Sequence, residues 1–233
     1  MINATQTETG TPTAAKCWSC GAASSGAHFC GACGKIQPLS PGIDYFAFFA
    51  LPQKLTLDAD ALEQQFHTLS WKLHPDNFVR ATEFERNLSL ERSSELNDAY
   101  RALREAVSRI EYLLGRLGIR KEGTTKQQAP PELLEEVFEL NEALDELREA
   151  RAEGADLAAL RERLTAAQAN FQEKLREVDA ELAGIAMQWD AALGSGADES
   201  ERTRLLARMN EVLNRRSYIR NLVAGVAKEL SEA

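Results

Sequence analysis

Three long segments with apolar side chains at helical spacing dominate the C-terminal part of the chain, with very little sequence between them. The segments span about 131–152, 157–193 and 199–231, and they are separated by Gly154 and by Gly194-Ser195-Gly196. Apolar residues that recur every three or four positions form one face of an α-helix. Helices joined by such short turns run antiparallel to their neighbours. The pattern therefore predicts an antiparallel three-helix bundle.

The composition extends this expectation to most of the chain. Leu, Ala, Glu and Arg dominate and aromatic residues make up 7%, which favours helices over strands. We therefore expect an all-α protein apart from a cysteine-rich segment near the N-terminus. No apolar stretch approaches the roughly 20 residues that span a bilayer, and Met1–Lys16 lacks an apolar signal core and any arginine. We expect a protein of a bacterial-type cytoplasm with no membrane partner.

The net charge of -9 is distributed unevenly. Residues 1–129 carry 14 acidic and 14 basic side chains, whereas residues 130–233 carry 22 and 13. An acidic surface repels the phosphate backbone of nucleic acids and attracts basic proteins. The C-terminal half is therefore expected to bind a basic protein and not nucleic acid.

The sequence offers little for catalysis. It contains three histidines, His28, His67 and His74, and none of the phosphate-binding, dinucleotide-binding or nucleophile-elbow motifs of common enzymes. Its carboxylates are too numerous and too regularly spaced to single out a catalytic pair. We expect a binding protein and not an enzyme.

Four cysteines lie within seventeen residues as two C-x-x-C pairs, Cys17 with Cys20 and Cys30 with Cys33. This spacing is typical of a tetrahedral site in which four thiolates hold one metal ion. Four protein ligands leave no position for a catalytic water, so the spacing predicts one structural zinc ion per chain, with rubredoxin-like iron as the alternative. His28 is interpreted as a loop residue, because four thiolates already complete the tetrahedron.

The middle of the chain predicts three further helices. A brief apolar helix within residues 44–51 ends at a proline, and an amphipathic helix capped by Asp58 follows. This second helix must stop at Pro75, because the residue before a proline disfavours the helical conformation. A third helix opens at Thr82 with a capping box and is expected to bend or break near Ala106.

The tripeptide His74-Pro75-Asp76 lies between the second and third of these helices. Together, the two helices give the antiparallel hairpin of a J-domain. Five stretches of the chain have a distinctive sequence, namely Asp44-Tyr45-Phe46, Phe49-Ala50-Leu51-Pro52, His74-Pro75-Asp76-Asn77-Phe78, Leu96-Asn97-Asp98-Ala99-Tyr100-Arg101-Ala102-Leu103-Arg104 and Glu111-Tyr112-Leu113-Leu114. In these stretches, and over about residues 43–233, the sequence resembles the HscB co-chaperones, in the variant with an N-terminal zinc knuckle.

This resemblance implies an L-shaped two-domain arrangement of a J-domain hairpin and a three-helix bundle. It implies a co-chaperone that stimulates the ATPase of a DnaK- or HscA-type chaperone and delivers an IscU-like scaffold in iron-sulfur protein maturation. The expected modules are a disordered leader at 1–16, a zinc knuckle at 17–36, the J-domain at 43–120 and a scaffold-binding domain at 130–233. A helical scaffold or a zinc-ribbon adaptor without chaperone activity is the alternative, and a homodimer stays open.

By this resemblance the chaperone docks on His74-Pro75-Asp76, and the Asp76 carboxylate meets an arginine. Two nearby cations, Lys72 and Arg80, are expected to contribute. Trp71 stands where the family often has an arginine, so the docking contact is expected to be partly apolar. On a helical wheel Trp71 lies about 200° from Leu69, away from the apolar stripe, so it is a candidate anchor for the chaperone.

The expected scaffold site lies on the first helix of the C-terminal bundle. Residues 132–146 contain seven acidic side chains and no cation, and Leu134 and Phe138 lie beside the acidic face. Helical periodicity alone leaves two interpretations open, a wide core stripe with a solvated acidic face or a binding face for a basic partner. The resemblance implies the second interpretation, with the contacts Leu134, Phe138, Glu139, Glu142, Glu146 and Tyr218.

Overall fold

The computed structural model describes residues 16–23, 28–40, 42–120 and 130–232. Within these ranges all regular structure is helical, apart from two isolated β-bridges, so the all-α prediction is confirmed. Most of the predicted leader lies outside the described residues. The α-helices of the described part are α1 (Tyr45–Phe48), α2 (Ala59–Leu73), α3 (Glu83–Arg104), α4 (Ala106–Arg116), α5 (Leu134–Glu153), α6 (Ala158–Ser195) and α7 (Glu199–Glu232), and 3-10 turns cover Pro75–Phe78 and Pro131–Leu133.

The described residues form two compact units. The first contains the residues up to Pro52 together with Asp58–Arg104, and the second contains Gln53–Leu57 together with the residues from Glu105 onward. Neither unit is a continuous stretch of the chain. Packing alone defines these units, so the module bounds expected from the sequence stay predictions.

The first unit is built around the hairpin of α2 and α3. Asp58 caps α2 by accepting a hydrogen bond from the Ala61 amide at 3.1 Å, as the sequence predicts. At the start of α3 the Glu85 amide donates to the Thr82 hydroxyl at 3.3 Å, and the Glu85 carboxylate accepts from the Thr82 amide at 3.3 Å. The predicted capping box is therefore confirmed. The hairpin buries Leu62, Leu73, Leu88, Leu96 and Leu103.

The helical pattern that begins at Thr82 is interrupted once. Helix α3 ends at Arg104 and α4 begins at Ala106, because Glu105 has an extended backbone with φ -96° and ψ 135°. The predicted break near Ala106 is confirmed. The interruption coincides with the boundary between the two units, since α3 belongs to the first and α4 to the second.

The second unit has its core among α4, α5, α6 and α7. Gly154 and Gly196 end α5 and α6 in the left-handed conformation, with φ of 70° and 68°, which glycine adopts without a Cβ clash. These are the breaks that the sequence predicts, and the three-helix bundle is confirmed. No helix within the described ranges has both the length and the apolar character needed to cross a membrane. The core includes Leu140, Leu147, Phe171, Leu182, Met209 and Val226.

The segment Gln53–Leu57, which we call the strap, is held by polar side chains of the second unit. The Asp190 carboxylate accepts hydrogen bonds from the amides of Leu55 and Thr56 at 2.7 and 2.8 Å. The Arg109 guanidinium donates to the Leu55 carbonyl at 2.5 Å. The Leu55 side chain is buried in the core of the unit. These side chains therefore supply the hydrogen bonds that an irregular backbone cannot make within itself.

Candidate functional site

The tripeptide predicted to dock a chaperone forms a tight turn at the end of α2. Helix α2 ends at Leu73, and His74 leaves the helical conformation with φ -58° and ψ 131°. The His74 ring accepts the Asp76 amide through Nδ1 at 3.3 Å, and the Asn77 amide donates to the His74 carbonyl at 3.0 Å. The Asp76 side chain is 85% exposed. The turn thus fixes its own backbone and leaves the carboxylate facing solvent.

The other residues predicted to contact a chaperone also lie in solvent. Trp71 is 78% exposed, and Lys72 and Arg80 are exposed as well. Val79, which the sequence reasoning did not single out, is a second exposed apolar side chain directly after the turn. Exposed apolar and cationic side chains on both sides of an exposed carboxylate give a surface suited to a protein partner.

The sequence analysis missed three polar side chains that hydrogen-bond the end of α2, one in the turn itself and two on α3. The Asn77 amide group donates to the Trp71 carbonyl at 2.6 Å. The hydroxyls of Ser89 and Ser93, on α3, both donate to the Leu73 carbonyl, at 2.6 and 3.1 Å. Their signal in the sequence is weak, because serine in a helix usually faces solvent or bonds within its own helix. These contacts hold the last turn of α2 to α3.

The four cysteines come together as the spacing predicts. Their sulfur atoms all lie within 4.8 Å of one another, with Sγ–Sγ distances of 3.7 Å between Cys17 and Cys33 and between Cys20 and Cys30. A tetrahedral metal with sulfur ligands at about 2.3 Å requires sulfur atoms about 3.8 Å apart. The donor set therefore fits one tetrahedral ion, and His28 is not part of it.

Each cysteine pair is presented by the same local fold. The amides of Gly21 and Gly34 donate to the carbonyls of Cys17 and Cys30 at 3.0 and 2.8 Å, and a β-bridge closes each loop. Both glycines have positive φ, 73° and 71°, which a residue with a Cβ rarely adopts. The two halves are thus copies of one turn, offset by thirteen positions. A repeated turn of this kind places two pairs of sulfur atoms around one centre.

Backbone amides favour the thiolate form within each pair. The Cys20 amide lowers the pKa of Cys17 to about 6, and the Cys33 amide likewise lowers the pKa of Cys30. Hydrogen bonds to the charged form of a group favour that form. Metal binding requires thiolates, which these amides favour at Cys17 and Cys30. At Cys20 the Ala22 amide acts in the same direction, but the other sulfurs and burial outweigh it and raise the pKa to about 12.

A buried arginine on α3 attaches this helix to residues 28–38 of the cysteine-rich segment. Arg92 is 2% exposed, and its guanidinium donates to the carbonyls of Gln37 and Pro38 at 2.7 and 3.0 Å and meets His28 Nδ1 at 2.6 Å. Burial lowers the pKa of Arg92 to about 10, so the group stays protonated at neutral pH. All of these contacts belong to residues 28–38, so the cation is satisfied by the cysteine-rich segment.

The His28 ring completes this attachment in its neutral form. Burial and the Arg92 charge lower the pKa of His28 to about 4. Neutral imidazole has one donor and one acceptor, so Nδ1 accepts from Arg92 and Nε2 donates to the Phe48 carbonyl at 2.9 Å. His28 is therefore more than a loop residue. Its ring links the cysteine-rich segment to α3 through Arg92 and to α1 through the Phe48 carbonyl.

Two further contacts join the cysteine-rich segment to the first turn of α3. The Lys35 ammonium pairs with Glu85 at 2.7 Å, and this hydrogen bond lowers the pKa of the Glu85 carboxyl. The Trp18 and Phe84 rings meet edge to face with centroids 4.9 Å apart. The cysteine-rich segment is therefore packed along the N-terminal half of α3.

The acidic face of α5 is exposed as the binding interpretation requires. Leu134 and Phe138 are 55% and 64% exposed, which excludes them from the core of the bundle. Glu139, Glu142 and Glu146 are exposed too. The interpretation of this face as a wide core stripe is therefore wrong.

Two predicted scaffold contacts are already engaged within the chain. The Glu146 carboxylate accepts from Arg163 at 2.8 Å. Tyr218, on α7, is half-buried and packs against the core of the second unit. These residues have less free surface to offer a partner than Leu134 and Phe138 have.

We expect Arg92→Met to lower the free energy of unfolding by about 2–3 kcal/mol, because the buried carbonyl of Gln37 and the carbonyl of Pro38 lose charged donors. Urea unfolding of the metal-loaded protein, followed by circular dichroism, measures the loss. Arg101→Met is the matched control, since Arg101 is exposed on the same helix and its ion pair with Asp98 is worth little. Equal stability of the two variants would show that the buried contacts contribute nothing.

The chain is similar to known proteins over most of its length. A family model described as the HSCB C-terminal oligomerisation domain matches residues 129–222. The co-chaperone protein HscB homologue of Vibrio vulnificus strain YJ016 is 32% identical over 171 residues, which cover 73% of this chain and 95% of the relative. The homologue of Vibrio cholerae serotype O1 strain M66-2 is 33% identical over the same shares of both chains.

Solved structures give the same fold. The crystal structure of human co-chaperone protein HscB has a TM-score of 0.62 at 24% identity and covers 92% of this chain and 98% of its own. The chaperone HscB from Vibrio cholerae has a TM-score of 0.55 at 27% identity and covers 82% and 99%. The human structure, at 24% identity, supports the fold alone. The assignment to a family rests on the bacterial relatives. By the extent of this similarity, the chain belongs to the HscB family of co-chaperones.

Proposed function

We propose that the chain stimulates the ATPase of a DnaK- or HscA-type chaperone and brings it an IscU-like scaffold during iron-sulfur protein maturation in the cytoplasm. The observation that carries the proposal is the exposed Asp76 carboxylate, on a turn in which the amides of Asp76 and Asn77 both donate to His74. A second surface, on α5, serves the scaffold. Two sites on one chain raise the effective concentration of the scaffold at the chaperone.

The chaperone contact depends on a carboxylate that meets a guanidinium. Pro75 fixes its own φ, and the Asp76 side chain projects into solvent without prior burial. A carboxylate presented in this way gains charge-assisted hydrogen bonds on docking and loses little hydration beforehand. Lys72 and Arg80 add cationic character, and Trp71 adds an aromatic anchor of the kind that dominates protein interfaces.

We expect Asp76→Asn to abolish stimulation of the chaperone ATPase. The amide keeps the size of the side chain and removes the charge that pairs with arginine. Steady-state phosphate release by the chaperone, with and without the co-chaperone, measures the effect. Asp60→Asn, an exposed acid on the same helix as Trp71, should stimulate as the unchanged protein does. Full stimulation by Asp76→Asn would refute this part of the proposal.

The scaffold contact combines apolar anchors with a negative field. Leu134 and Phe138 are exposed side chains surrounded by carboxylates on α5. The stretch 132–146 has no cation, so it attracts a basic partner while the two apolar groups are desolvated on contact. Glu139 and Glu142 contribute charge, and we place Glu146 and Tyr218 at the edge of the site because both already have contacts within the chain.

We expect Leu134→Ala combined with Phe138→Ala to weaken scaffold binding at least about tenfold, since truncating apolar anchors costs interface energy. The bundle should stay folded because neither side chain is in the core. Titration calorimetry against the scaffold measures the affinity. Met187→Ala on α6 is the matched control, because Met187 is 60% exposed and lies on another helix of the same unit. Unchanged affinity of the double variant would contradict the proposed face.

The metal held by the four cysteines is, in our proposal, zinc with a structural role. The four-sulfur donor set is closed, so it offers no position for a substrate or an activated water. Residues Cys17, Cys20, Cys30 and Cys33 would hold the ion, which would fix the two turns relative to each other. Zinc suits this role because it has no redox chemistry.

We expect the purified protein to contain one equivalent of zinc per chain. Digestion of the protein in acid, followed by elemental mass spectrometry of the released metal, measures this content. The matched variant Cys20→Ser should lose most of it, because serine oxygen does not replace a thiolate ligand. Iron at the site, or less than about half an equivalent of zinc, would contradict the assignment.

A further inference from the structure

Pro75 leaves carbonyl groups at the end of α2 without their usual donors. In an α-helix each carbonyl accepts from the amide four residues later. The carbonyl of Trp71 would therefore use Pro75, which has no amide hydrogen. The carbonyl of Leu73 would use Asn77, but the Asn77 amide donates to His74 at 3.0 Å instead. Both carbonyls need another partner if the helix is to end in a defined way.

Side chains supply these partners. The Asn77 side-chain amide donates to the Trp71 carbonyl at 2.6 Å and so replaces the hydrogen that Pro75 lacks. The hydroxyls of Ser89 and Ser93 both donate to the Leu73 carbonyl, at 2.6 and 3.1 Å. One of the three donors belongs to the turn itself, and the other two belong to the neighbouring helix α3.

The two serines are used in an unusual way for helical residues. A serine within a helix commonly returns its hydroxyl to the carbonyl four residues earlier, whereas here both hydroxyls cross to another helix. Ser89 is 0% exposed, and Ser93 follows it by one helical turn. Two donors on one acceptor, immediately before the tripeptide, fix where α2 ends and in which direction the turn leaves it.

We propose that Ser89, Ser93 and Asn77 are positioning residues for the His74-Pro75-Asp76 turn. They hold the end of α2 so that the Asp76 carboxylate points in one direction before the chaperone arrives. This inference rests on the proposed function, since it concerns the group that docks there. Without these donors the turn samples several orientations, and only a fraction of molecules is competent to dock at any moment. The apparent affinity falls by that fraction.

The test uses the full chain with Ser89→Ala and Ser93→Ala combined. The concentration of co-chaperone that gives half-maximal ATPase stimulation should rise about tenfold, while stimulation at saturation is retained. The backbone amide resonances of Asp76 and Asn77 should shift or broaden in the free protein, as measured by nitrogen-proton correlation spectra. Ser93→Thr alone keeps the hydroxyl and should leave both readouts unchanged. Asn77→Ala, at an exposed residue, should act in the same direction as the double variant and covers the case in which that variant does not fold.

A purely structural role for the serines is tested by Leu96→Val, which truncates a buried side chain on the same helix. If Leu96→Val raises the half-maximal concentration as much as the serine variant does at an equal loss of thermal stability, the positioning role is wrong. Unmoved Asp76 and Asn77 amide resonances in the serine variant, together with an unchanged half-maximal concentration in the serine and Asn77 variants, would also overturn it. Failure of the proposed function gives a different result, because the unchanged protein would then not stimulate at all, while the resonances still report on the turn.

Discussion

A guanidinium group with almost no access to solvent holds the cysteine-rich segment against α3. Arg92 donates to the carbonyls of Gln37 and Pro38 and to the ring of His28, so a full positive charge is satisfied by groups of one short segment. A buried charge is tolerated only where its hydrogen bonds are made. The cysteine-rich segment is therefore a structural part of the unit. Its position on α3 is fixed because the buried guanidinium requires the acceptors that this segment provides.

Helix α3 contacts both the cysteine-rich segment and the end of α2 from which the Asp76 turn departs. Its N-terminal half carries Glu85, which closes its own capping box and pairs with Lys35 of the cysteine-rich segment. One turn further along, Ser89 donates to the Leu73 carbonyl at the end of α2, and Arg92 follows within the next turn and donates to residues of the cysteine-rich segment. The two cysteine turns and the exposed Asp76 turn are thus both held by α3.

The helices could be predicted from the sequence because their signals are local. Proline, capping residues and apolar periodicity act within a few positions, and the ends of α2, the break after α3 and the glycine stops of α5 and α6 all follow from them. The cysteine cluster was predictable for the same reason, since each pair forms within one turn. The place of Asp76 between two helices was visible in the sequence, whereas the helical wheel alone left open whether Leu134 and Phe138 are exposed.

The contacts that position these groups were not predictable in the same way. Arg92 meets residues more than fifty positions away, and the serines meet α2 across a hairpin. One signal was present: Leu88, Arg92 and Leu96 follow each other at helical spacing, so a cation interrupts a buried stripe. A charge in that place indicates a buried acceptor, but the sequence does not say which segment provides it.

The strap between residues 53 and 57 has a consequence for the order in which the chain is built during translation. The strap is synthesised early, yet Leu55 bonds Asp190, which lies 135 positions later in the chain. Domains usually fold as units while the ribosome is still adding residues. Here the residues on either side of the strap can pack as soon as α3 has emerged, whereas the strap itself waits for most of α6. During that interval its amides must rely on water, and this early segment is among the last parts of the nascent protein to reach its final partners.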